Sequence, residues 1–352
     1  MTADALRAFD AARLEVLTKV FSSVRVAVLG DFFLDKYLDV EPALAEPSLE
    51  TGRVAHQVTA VRHAPGAAGT VVNNLAALGA KDIVAIGFTG DDGEGWELRK
   101  DLSRLGCDLS HLHIADDRAT PTYLKPRDRT RPGLEGEHDR YDIKNRLPTP
   151  EHIVQSLLAS LDAAIPCIDA LVVMDQVTEE DAGALTAPLI RALAERVPRF
   201  PKTVFWADSR GRIRRYRNMT VKVNQFELAG IEKPVPGACV PDEMIRAKAH
   251  ALAALLGAPV FATAGERGVH VSGADPLTVP SVKVPGPADP TGAGDSFTAG
   301  AVLALASGAT RPEAALIGNL VASVTVRQLG TTGTASPADL FPALALWKEQ
   351  NP

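Results

Sequence analysis

Residues 24–31, which read VRVAVLGD, form a short apolar run that ends in a glycine and an aspartate. Such a run is typical of a strand that is buried on both faces, as in a parallel sheet. Similar apolar runs recur along the chain, at residues 83–89, 170–174, 203–208, 221–224 and 260–264. The opening stretch therefore predicts the first strand of a parallel sheet.

Segments with helical periodicity separate most of these runs, at residues 67–78, 95–105, 151–161, 179–196 and 242–256. Thr149, Pro150 and Glu151 predict a helix start, with Thr149 as the cap and the proline in the first turn. Alternating strands and helices indicate a sheet covered by helices on both faces. We therefore predict a three-layer α/β fold with a mostly parallel sheet.

Two segments interrupt this alternation, residues 36–64 and 119–146. We expect them to form a small β lid, because excursions after strand ends often cover an active site. Apolar side chains at near-helical spacing in residues 4–21 predict an additional helix that packs on the core or on a second subunit. We divide the chain into this N-terminal helix, residues 1–22, and one domain, residues 23–352.

The composition limits the class of protein. The chain has 37 Lys and Arg against 43 Asp and Glu, a net charge of −6, which argues against nucleic-acid binding. No apolar run approaches the roughly 20 residues of a membrane span. The first residues lack the basic and apolar blocks of a signal peptide. Its three cysteines form no CxxC pair, which favours a reduced, cytoplasmic protein.

Residues 289–297, DPTGAGDSF, carry the strongest chemical signal. Gly292, Ala293 and Gly294 let backbone N–H groups turn toward a bound group, and the apolar segment 298–307 predicts a helix that begins there. These features predict an anion site. Asp295 at its mouth would repel a phosphate, so a role as proton acceptor for an attacking hydroxyl explains it better. The alternative is a helix N-cap aspartate.

This motif differs from two common phosphate-binding motifs. The chain contains no Gly-Lys dipeptide, which excludes a P-loop. Phe297 stands where a dinucleotide-binding fingerprint has a small residue, and the motif falls late in the chain rather than after the first strand.

Residues 289–300 resemble the C-terminal signature of the ribokinase-type (PfkB) carbohydrate kinases. Further motifs resemble that family in the same order, at residues 30–35, 65–68, 224–227 (Asn-x-x-Glu), 263–268 (Thr-x-Gly-x-x-Gly) and 319. Residues 30–37 and 208–211 are most similar to the heptose-phosphate kinase branch. The resemblance implies a ribokinase-like fold with a small β lid and an enzyme that uses ATP and Mg²⁺.

The resemblance also implies roles for individual residues. Asp295 is the implied catalytic base, with the amides of residues 292–295 as an anion hole. The implied sugar-binding residues are Asp35, Gly66, Ala67, Thr70 and Asp295. The implied nucleotide-binding residues are Asn224, Glu227, Thr263, Gly265, Gly268 and Asn319. Asn224 and Glu227 are also the implied metal-binding residues, acting largely through water.

The chain departs from the family pattern at the sugar site. Ala67 replaces the second glycine of the N-terminal signature, and Thr70 stands at the position of an asparagine. An amide that binds a sugar hydroxyl at two points thus becomes a single hydroxyl, so we do not expect a standard family substrate.

The lid contains a cluster of basic residues, Lys125, Arg127, Arg129 and Arg131. Two interpretations are open. The cluster binds a phosphate that the substrate already carries, which indicates a sugar phosphate. In the other interpretation it is a solvated loop whose charges are balanced by neighbouring acids.

Several expectations concern ligands and partners. Asp289, Thr291 and Gly330 match positions where some relatives bind a monovalent cation such as K⁺. We expect a sugar or sugar-phosphate substrate, no nucleic-acid or membrane partner, and a homodimer. The alternatives are a nucleoside kinase, a catalytically silent sugar or nucleotide sensor, and an interaction scaffold. No His-x-Gly-His sequence occurs, so we expect no nucleotidyltransferase domain in this chain.

Overall fold

The computed structural model describes residues 6, 8–131, 133–235, 237–273, 276–330 and 332–352. Its strands are β1 (Arg25–Gly30), β2 (Phe32–Val40), β3 (Glu46–Pro47), β4 (Val54–Ala55), β5 (Val58–Ala67), β6 (Asp82–Gly90), β7 (Asp108–Ala115), β8 (Thr122–Asp128), β9 (Tyr141–Ile143), β10 (Ala170–Asp175), β11 (Val204–Ser209), β12 (Thr220–Asn224), β13 (Val260–Thr263), β14 (Val269–Ser272) and β15 (Leu277–Val279). Its α-helices of five or more residues are α1 (Ala11–Phe21), α2 (Ala68–Ala77), α3 (Gly93–Arg104), α4 (Glu151–Ala164), α5 (Ala187–Arg196), α6 (Gln225–Ala229), α7 (Asp242–Leu256), α8 (Ala293–Ala306), α9 (Arg311–Thr325) and α10 (Leu340–Gln350).

The main sheet has the strand order β15–β14–β13–β12–β11–β10–β1–β6–β7. The seven strands from β7 to β13 pair in parallel, whereas β14 and β15 pair antiparallel at one edge. Strand β1 lies between β10 and β6, with Val28 opposite Val172 and Ala85. The apolar run at residues 24–31 therefore contains a strand with a hydrogen-bonded neighbour on each side.

Side chains on β1 alternate between two hydrophobic cores. Val26 and Val28 face a core that includes residues of α1, α2, α3, α8, α9 and α10. Ala27 and Leu29 face the opposite core, which α4, α5 and α7 cover. Helices thus cover both faces of the sheet, and the predicted three-layer α/β fold is confirmed. Within the described residues, no helix is long and apolar enough to cross a membrane.

The N-terminal helix α1 packs on the first of these cores. Leu14, Leu17 and Phe21 are buried there, and the Arg13 guanidinium pairs with Glu313 on α9 at 2.8 Å. The apolar face of α1 is therefore occupied by its own chain. The domain boundary after residue 22 and the homodimer stay predictions.

A second sheet, which we call the lid sheet, has the order β5–β2–β8–β9. Strand β2 pairs antiparallel with β5 and parallel with β8. The two segments expected to form the lid supply most of this sheet, which also takes in residues 32–35 and 65–67. Strand β5 continues directly into α2, so the lid sheet and the core are joined at residues 67 and 68.

Two local predictions are wrong. The helix expected over 179–196 begins only at Ala187, because the preceding residues form a loop around the Asp31 carboxylate, which accepts the N–H groups of Gln176, Val177 and Ala184. Thr149 does not cap α4, since its hydroxyl donates to the Gly183 carbonyl at 2.8 Å. Asp31 and Thr149 instead fix the loop of residues 176–184, which we call the β10–α5 loop.

Candidate active site

Helix α8 begins at a glycine turn with free backbone donors. Gly292 is the N-cap residue, with a φ of 76° in the left-handed region that favours glycine. The N–H of Ala293 donates to the Pro290 carbonyl, and that of Asp295 donates to the Gly292 carbonyl. In the described part of the chain, the N–H groups of Gly292 and Gly294 have no acceptor. These two groups are available to an anion at the positive end of the helix dipole.

A buried ion pair lies next to this turn. Lys222 on β12 places its Nζ 2.7 Å from an Oδ2 of Asp208 at the end of β11. A Cβ atom at position 294 would lie 2.7 Å from the same Nζ, so Gly294 lets the ammonium approach the helix start. In the sequence, Asp208 stands out only as part of the motif at residues 208–211, and Lys222 was missed. The usable signal was their position, since carboxyl ends of parallel strands commonly carry ligand-binding groups.

Asp295 is in the first turn of α8, after the N-cap Gly292, so the N-cap interpretation of this residue is wrong. Burial raises the pKa of its carboxyl to about 7, and the charge of Asp208 adds to the increase. Lys222 and Arg210 oppose this increase. A carboxyl that titrates near neutral pH suits proton transfer with a substrate hydroxyl.

Asn224 and Glu227 form a capping box at the start of α6. The Asn224 side chain accepts the N–H groups of Phe226 and Glu227, and the Glu227 carboxylate accepts the N–H of Asn224. Burial and the nearby Asp208 raise the pKa of Glu227, while Lys222 lowers it. The Asn-x-x-Glu motif therefore has a structural role, and it places the Glu227 carboxylate near the Asp208–Lys222 pair.

The oxygen atoms near this pair fit a divalent metal that also contacts nucleotide phosphates. Among the described residues, no group of three or more Asp, Glu, His or Cys side chains is arranged to hold a metal ion alone. Asp208 and Glu227 offer hard carboxylate oxygens, whereas the Asn224 side-chain oxygen already accepts two N–H groups. Mg²⁺ normally takes one or two carboxylates and completes its shell with phosphates and water.

A deep cavity of about 410 Å³ opens beside the start of α8. Six of the site residues that the sequence predicts line this cavity: Thr263, Gly265, Gly268, Ala293, Gly294 and Asn319. Apolar side chains, among them Val282 and Phe297, cover another part of the wall. The structure thus brings most of the predicted nucleotide-binding residues together. Asn224 and Glu227 are not in this lining, and the Glu227 carboxylate lies near the Asp208–Lys222 pair instead.

Asn319 shapes one rim of this cavity. Its amide nitrogen donates to the carbonyl oxygens of Val279 at 3.2 Å and Pro280 at 3.0 Å. Gly268 has a φ of 91°, and a Cβ there would lie 2.1 Å from the Val279 carbonyl oxygen. Asn319 therefore fixes the chain at Val279 and Pro280, and Gly268 leaves room for the Val279 carbonyl.

Asp35 is buried on β2 of the lid sheet. Its Oδ1 lies 3.1 Å from the Nζ of Lys125, which also donates to the Tyr37 hydroxyl at 3.3 Å. A Cβ at Gly66 would lie 3.3 Å from the Asp35 carboxyl carbon, so the carboxylate lies against the N-terminal glycine signature. The structure brings Asp35 and Gly66 together, with Lys125 as a third member.

Thr70 joins this group to the anion site. Its hydroxyl donates to the Pro65 carbonyl at 3.2 Å. Its methyl group would lie 3.4 Å from a Cβ at Gly292. Thr70 therefore connects the glycine signature to the turn at the start of α8, and its role as a sugar ligand stays a prediction.

Ala67 has a φ of 53° and a ψ of −117°, a conformation that suits glycine and strains other residues. We expect Ala67→Gly to raise the free energy of unfolding by about 1 kcal/mol, because relief of strain exceeds the entropy cost of glycine. Ala68→Gly, one residue later in α2, is the matched control and should lower it by about 1 kcal/mol. Urea denaturation measures both. Equal destabilisation by the two variants would show that position 67 is unstrained.

The basic cluster of the lid does not converge on one point. Lys125 pairs with Asp35, Arg129 with Glu41 and Arg131 with Asp128. The remaining member of the cluster, Arg127, reaches toward Gly330. The interpretation as a charge-balanced loop accounts for Lys125, Arg129 and Arg131. Gly330 donates its N–H to Asp289, and monovalent-cation binding at this turn stays a prediction.

The fold and this arrangement define a class of protein. A mostly parallel α/β sheet holds an anion-binding helix start, a carboxyl that titrates near neutral pH, and a deep cavity on one side. These are the parts of a phosphotransferase that has an alcohol group as acceptor.

Within that class, the chain belongs to the PfkB family of carbohydrate kinases. A family model described as pfkB family carbohydrate kinase matches residues 25–339. The resemblance seen in the sequence is thereby confirmed, and it places the chain in a family of carbohydrate kinases.

Solved structures show the same fold at low sequence identity. Phosphofructokinase-2 from Escherichia coli, in complex with substrates and products, is 18% identical with a TM-score of 0.67, and the alignment covers 93% of this chain and 99% of that one. Ribokinase from Thermotoga maritima is 18% identical with a TM-score of 0.63, covering 92% and 99%. Arabidopsis thaliana ribokinase, complexed with ribose and ATP, is 16% identical with a TM-score of 0.63, covering 92% and 99%.

Curated relatives are longer than this chain. The Bifunctional protein HldE of Halorhodospira halophila is 31% identical over 92% of this chain and 64% of its own length. The Bifunctional protein HldE of Shewanella denitrificans is 28% identical over 94% of this chain and 66% of its own length. The chain therefore spans a little under two thirds of the length of these relatives.

Proposed function

We propose that the protein transfers the γ-phosphoryl group of ATP to a hydroxyl of a sugar phosphate. The observation that carries the proposal is the position of Asp295, whose pKa is raised to about 7, in the first turn of α8. The charge of Asp35 also raises its pKa, and the adjacent residues Ala293 and Gly294 line the deep cavity, so the carboxyl lies near both. The Arabidopsis ribokinase complex supports ATP as the nucleotide.

In the proposed reaction, the sugar is held by Asp35 and the backbone of the glycine signature. Asp295 accepts the proton of the substrate hydroxyl, whose oxygen forms a bond to the γ-phosphorus of ATP. The bond between that phosphorus and the oxygen bridging it to ADP breaks, and ADP leaves. The N–H groups of Gly292 and Gly294 donate to the migrating phosphoryl oxygens, which carry the negative charge.

We propose that the carboxylates of Asp208 and Glu227 take part in metal binding. Asp208 and Glu227 supply carboxylate oxygens for Mg²⁺, partly through water. When bound, the metal neutralises charge on the nucleotide phosphates. Lys222 holds the Asp208 carboxylate adjacent to the start of α8, because it pairs with it at 2.7 Å.

A phosphorylated sugar is favoured over a free sugar by two observations. Residues 30–37 and 208–211 are most similar to the heptose-phosphate kinases, and the relatives named HldE match more than nine tenths of this chain. A heptose phosphate is therefore the first compound to test.

A substrate panel tests the function. The purified chain is incubated with ATP and Mg²⁺ and with sugar monophosphates, the matching free sugars, or nucleosides, and ADP release is measured. We expect ADP only with sugar-type acceptors, and fastest with a sugar phosphate. Conversion of nucleosides alone would favour a nucleoside kinase. Ligand binding without ADP release from any compound would favour a silent sensor.

A further inference from the structure

A second cavity, open to solvent, lies between the lid sheet and the carboxyl ends of β1 and β10. It is separate from the nucleotide cavity, and its lining includes no residue of α8. We propose that this cavity binds the phosphate ester that the sugar substrate already carries, with Arg210 and Lys144 as its ligands. The inference rests on the proposed kinase function, which it deepens by assigning the subsite for the substrate phosphate.

In the part of the chain that the structure describes, two cations without a carboxylate partner, Arg210 and Lys144, line the cavity, and they are the main support for this inference. Among the described residues, neither Arg210 nor Lys144 has a carboxylate oxygen within the 4.0 Å of an ion pair. Neighbouring cations already have carboxylate partners: Lys125 pairs with Asp35, Arg140 with Asp142 and Arg212 with Asp175. Arg210 and Lys144 are therefore the cations of this cavity that remain available to a ligand.

The carboxylates in the same lining are engaged elsewhere. Asp31 accepts the N–H groups of Gln176, Val177 and Ala184 at 2.7–2.9 Å. Burial, followed by the charge of Asp175, raises the pKa of Asp31 to about 6 despite these donors. Glu179 accepts the Thr178 hydroxyl at 3.3 Å and lies 3.8 Å from Arg146. Burial opposes the shift, but a hydrogen bond to its own backbone N–H and then the charge of Lys144 lower the pKa of Glu179, so Lys144 lies within electrostatic range of that carboxylate. Among the described residues, neither carboxylate lies within 4.0 Å of Arg210 or Lys144.

Arg210 is held in place by the β10–α5 loop. Its Nε donates to the Gln176 side-chain oxygen at 2.9 Å, and within the described part of the chain neither terminal guanidinium nitrogen has a hydrogen-bond partner. The backbone of Gln176 is in turn fixed by Asp31. A guanidinium held by its Nε presents the remaining donors in a fixed plane, and this geometry suits two phosphate oxygens.

The position of Arg210 connects the cavity with the reacting groups. Its charge lowers the pKa of Asp295 and of Tyr123, so it lies within electrostatic range of both residues. Tyr123 and Phe33 form an edge-to-face pair at 5.2 Å and line the cavity with Phe88. A sugar that presents one hydroxyl to Asp295 can therefore lay its carbon chain along this apolar wall and its far phosphate against Arg210.

The test compares phosphorylated and free acceptors. Arg210→Gln and Lys144→Met are assayed with ribose 5-phosphate, mannose 6-phosphate and sedoheptulose 7-phosphate against ribose, mannose and sedoheptulose. Arg214→Gln and Lys202→Met are the matched controls, since both residues are exposed and do not line the cavity. We expect the ratio of kcat/KM for the phosphorylated acceptor to that for the free sugar to fall 10- to 100-fold in the test variants only, mainly through KM.

Other outcomes overturn the proposal. An equal loss with phosphorylated and free sugars would place Arg210 at the transferred phosphoryl instead. An unchanged ratio, or a wild-type enzyme that prefers free sugars, would remove the subsite while leaving the kinase function intact.

A binding measurement separates this inference from the proposed function. Calorimetric titration of the same three sugar phosphates requires no turnover. Weaker binding to Arg210→Gln and Lys144→Met than to their controls would support the subsite even if no compound released ADP. Equal binding to all five proteins would reject it.

Discussion

Replacing Asp295 by asparagine is expected to lower kcat by about 10³-fold, because positioned acid–base groups contribute factors of roughly 10² to 10⁴. Asparagine matches the carboxyl in size but cannot accept the proton of the substrate hydroxyl. Nucleotide binding should persist, since the carboxyl is not needed for the cavity that Asn319 and Gly268 shape. Steady-state kinetics and calorimetric titration of ATP measure the two effects, and turnover within tenfold of the wild type would contradict the mechanism.

A rise in pH through the pKa of Asp295 is expected to increase activity and to decrease the stability of the fold. With its pKa at about 7, the ionised base is lost as pH falls through that value, so kcat/KM should decline in acid. Because the folded-state pKa is raised above the ordinary 3.8, the stability due to the protonated carboxyl is full below pH ~4 and lost as pH rises through 7.

Asp295→Asn, which imitates the protonated acid, should therefore melt a few degrees higher than the wild type at pH 8. It should show no such gain at pH 4. A wild-type kcat/KM that stays flat from pH 5 to pH 8, with no difference in melting temperature at pH 8, would mean that Asp295 titrates normally.

Replacing Lys222 by methionine is expected to lower the free energy of unfolding by about 3 kcal/mol, since breaking a buried ion pair leaves an uncompensated charge. Burial opposes the charge of Lys222, but Asp208 and then Glu227 raise its pKa above the ordinary value, so it stays protonated. The variant leaves the carboxylates of Asp208, Glu227 and Asp295 without this cation. Urea denaturation at pH 7.5 measures the loss, which should shrink as the pH is lowered.

A double variant supplies the control for Lys222→Met. Adding Asp208→Asn removes the unpaired charge and should recover at least half of the lost stability. Lys222→Met should also move the acid limb of the kcat/KM profile to higher pH, because Lys222 lowers the pKa of Asp295. Independent, additive effects of the two substitutions, with an unshifted profile, would show that the pair neither stabilises the fold nor tunes Asp295.

The sheet was readable from sequence because its strands are buried on both faces and appear as continuous apolar runs. The segment before Ala187 was misassigned, since its periodicity favours a helix but Asp31, distant in sequence, binds its backbone. Such long-range hydrogen bonds leave no local pattern. The glycine turn at residues 292–294 was identified because it depends on local backbone conformation.

The charged part of the site was less predictable. Asp208 and Lys222 lie fourteen residues apart and meet because β11 and β12 are neighbours. The pairing of Lys125 with Asp35 depends on the register of β2 and β8. Sequence alone showed a row of lid cations and could not show which of them were neutralised or that Arg210 was not.

Strand β5 and helix α2 meet at Ala67, and the Thr70 side chain in the first turn of that helix lies beside the turn at Gly292. One short segment, residues 67–70, thus lies between the lid sheet and the start of α8. A substitution that shifts this segment is therefore expected to disturb both the Asp35 group and the glycine turn, although the two are more than 200 residues apart in sequence.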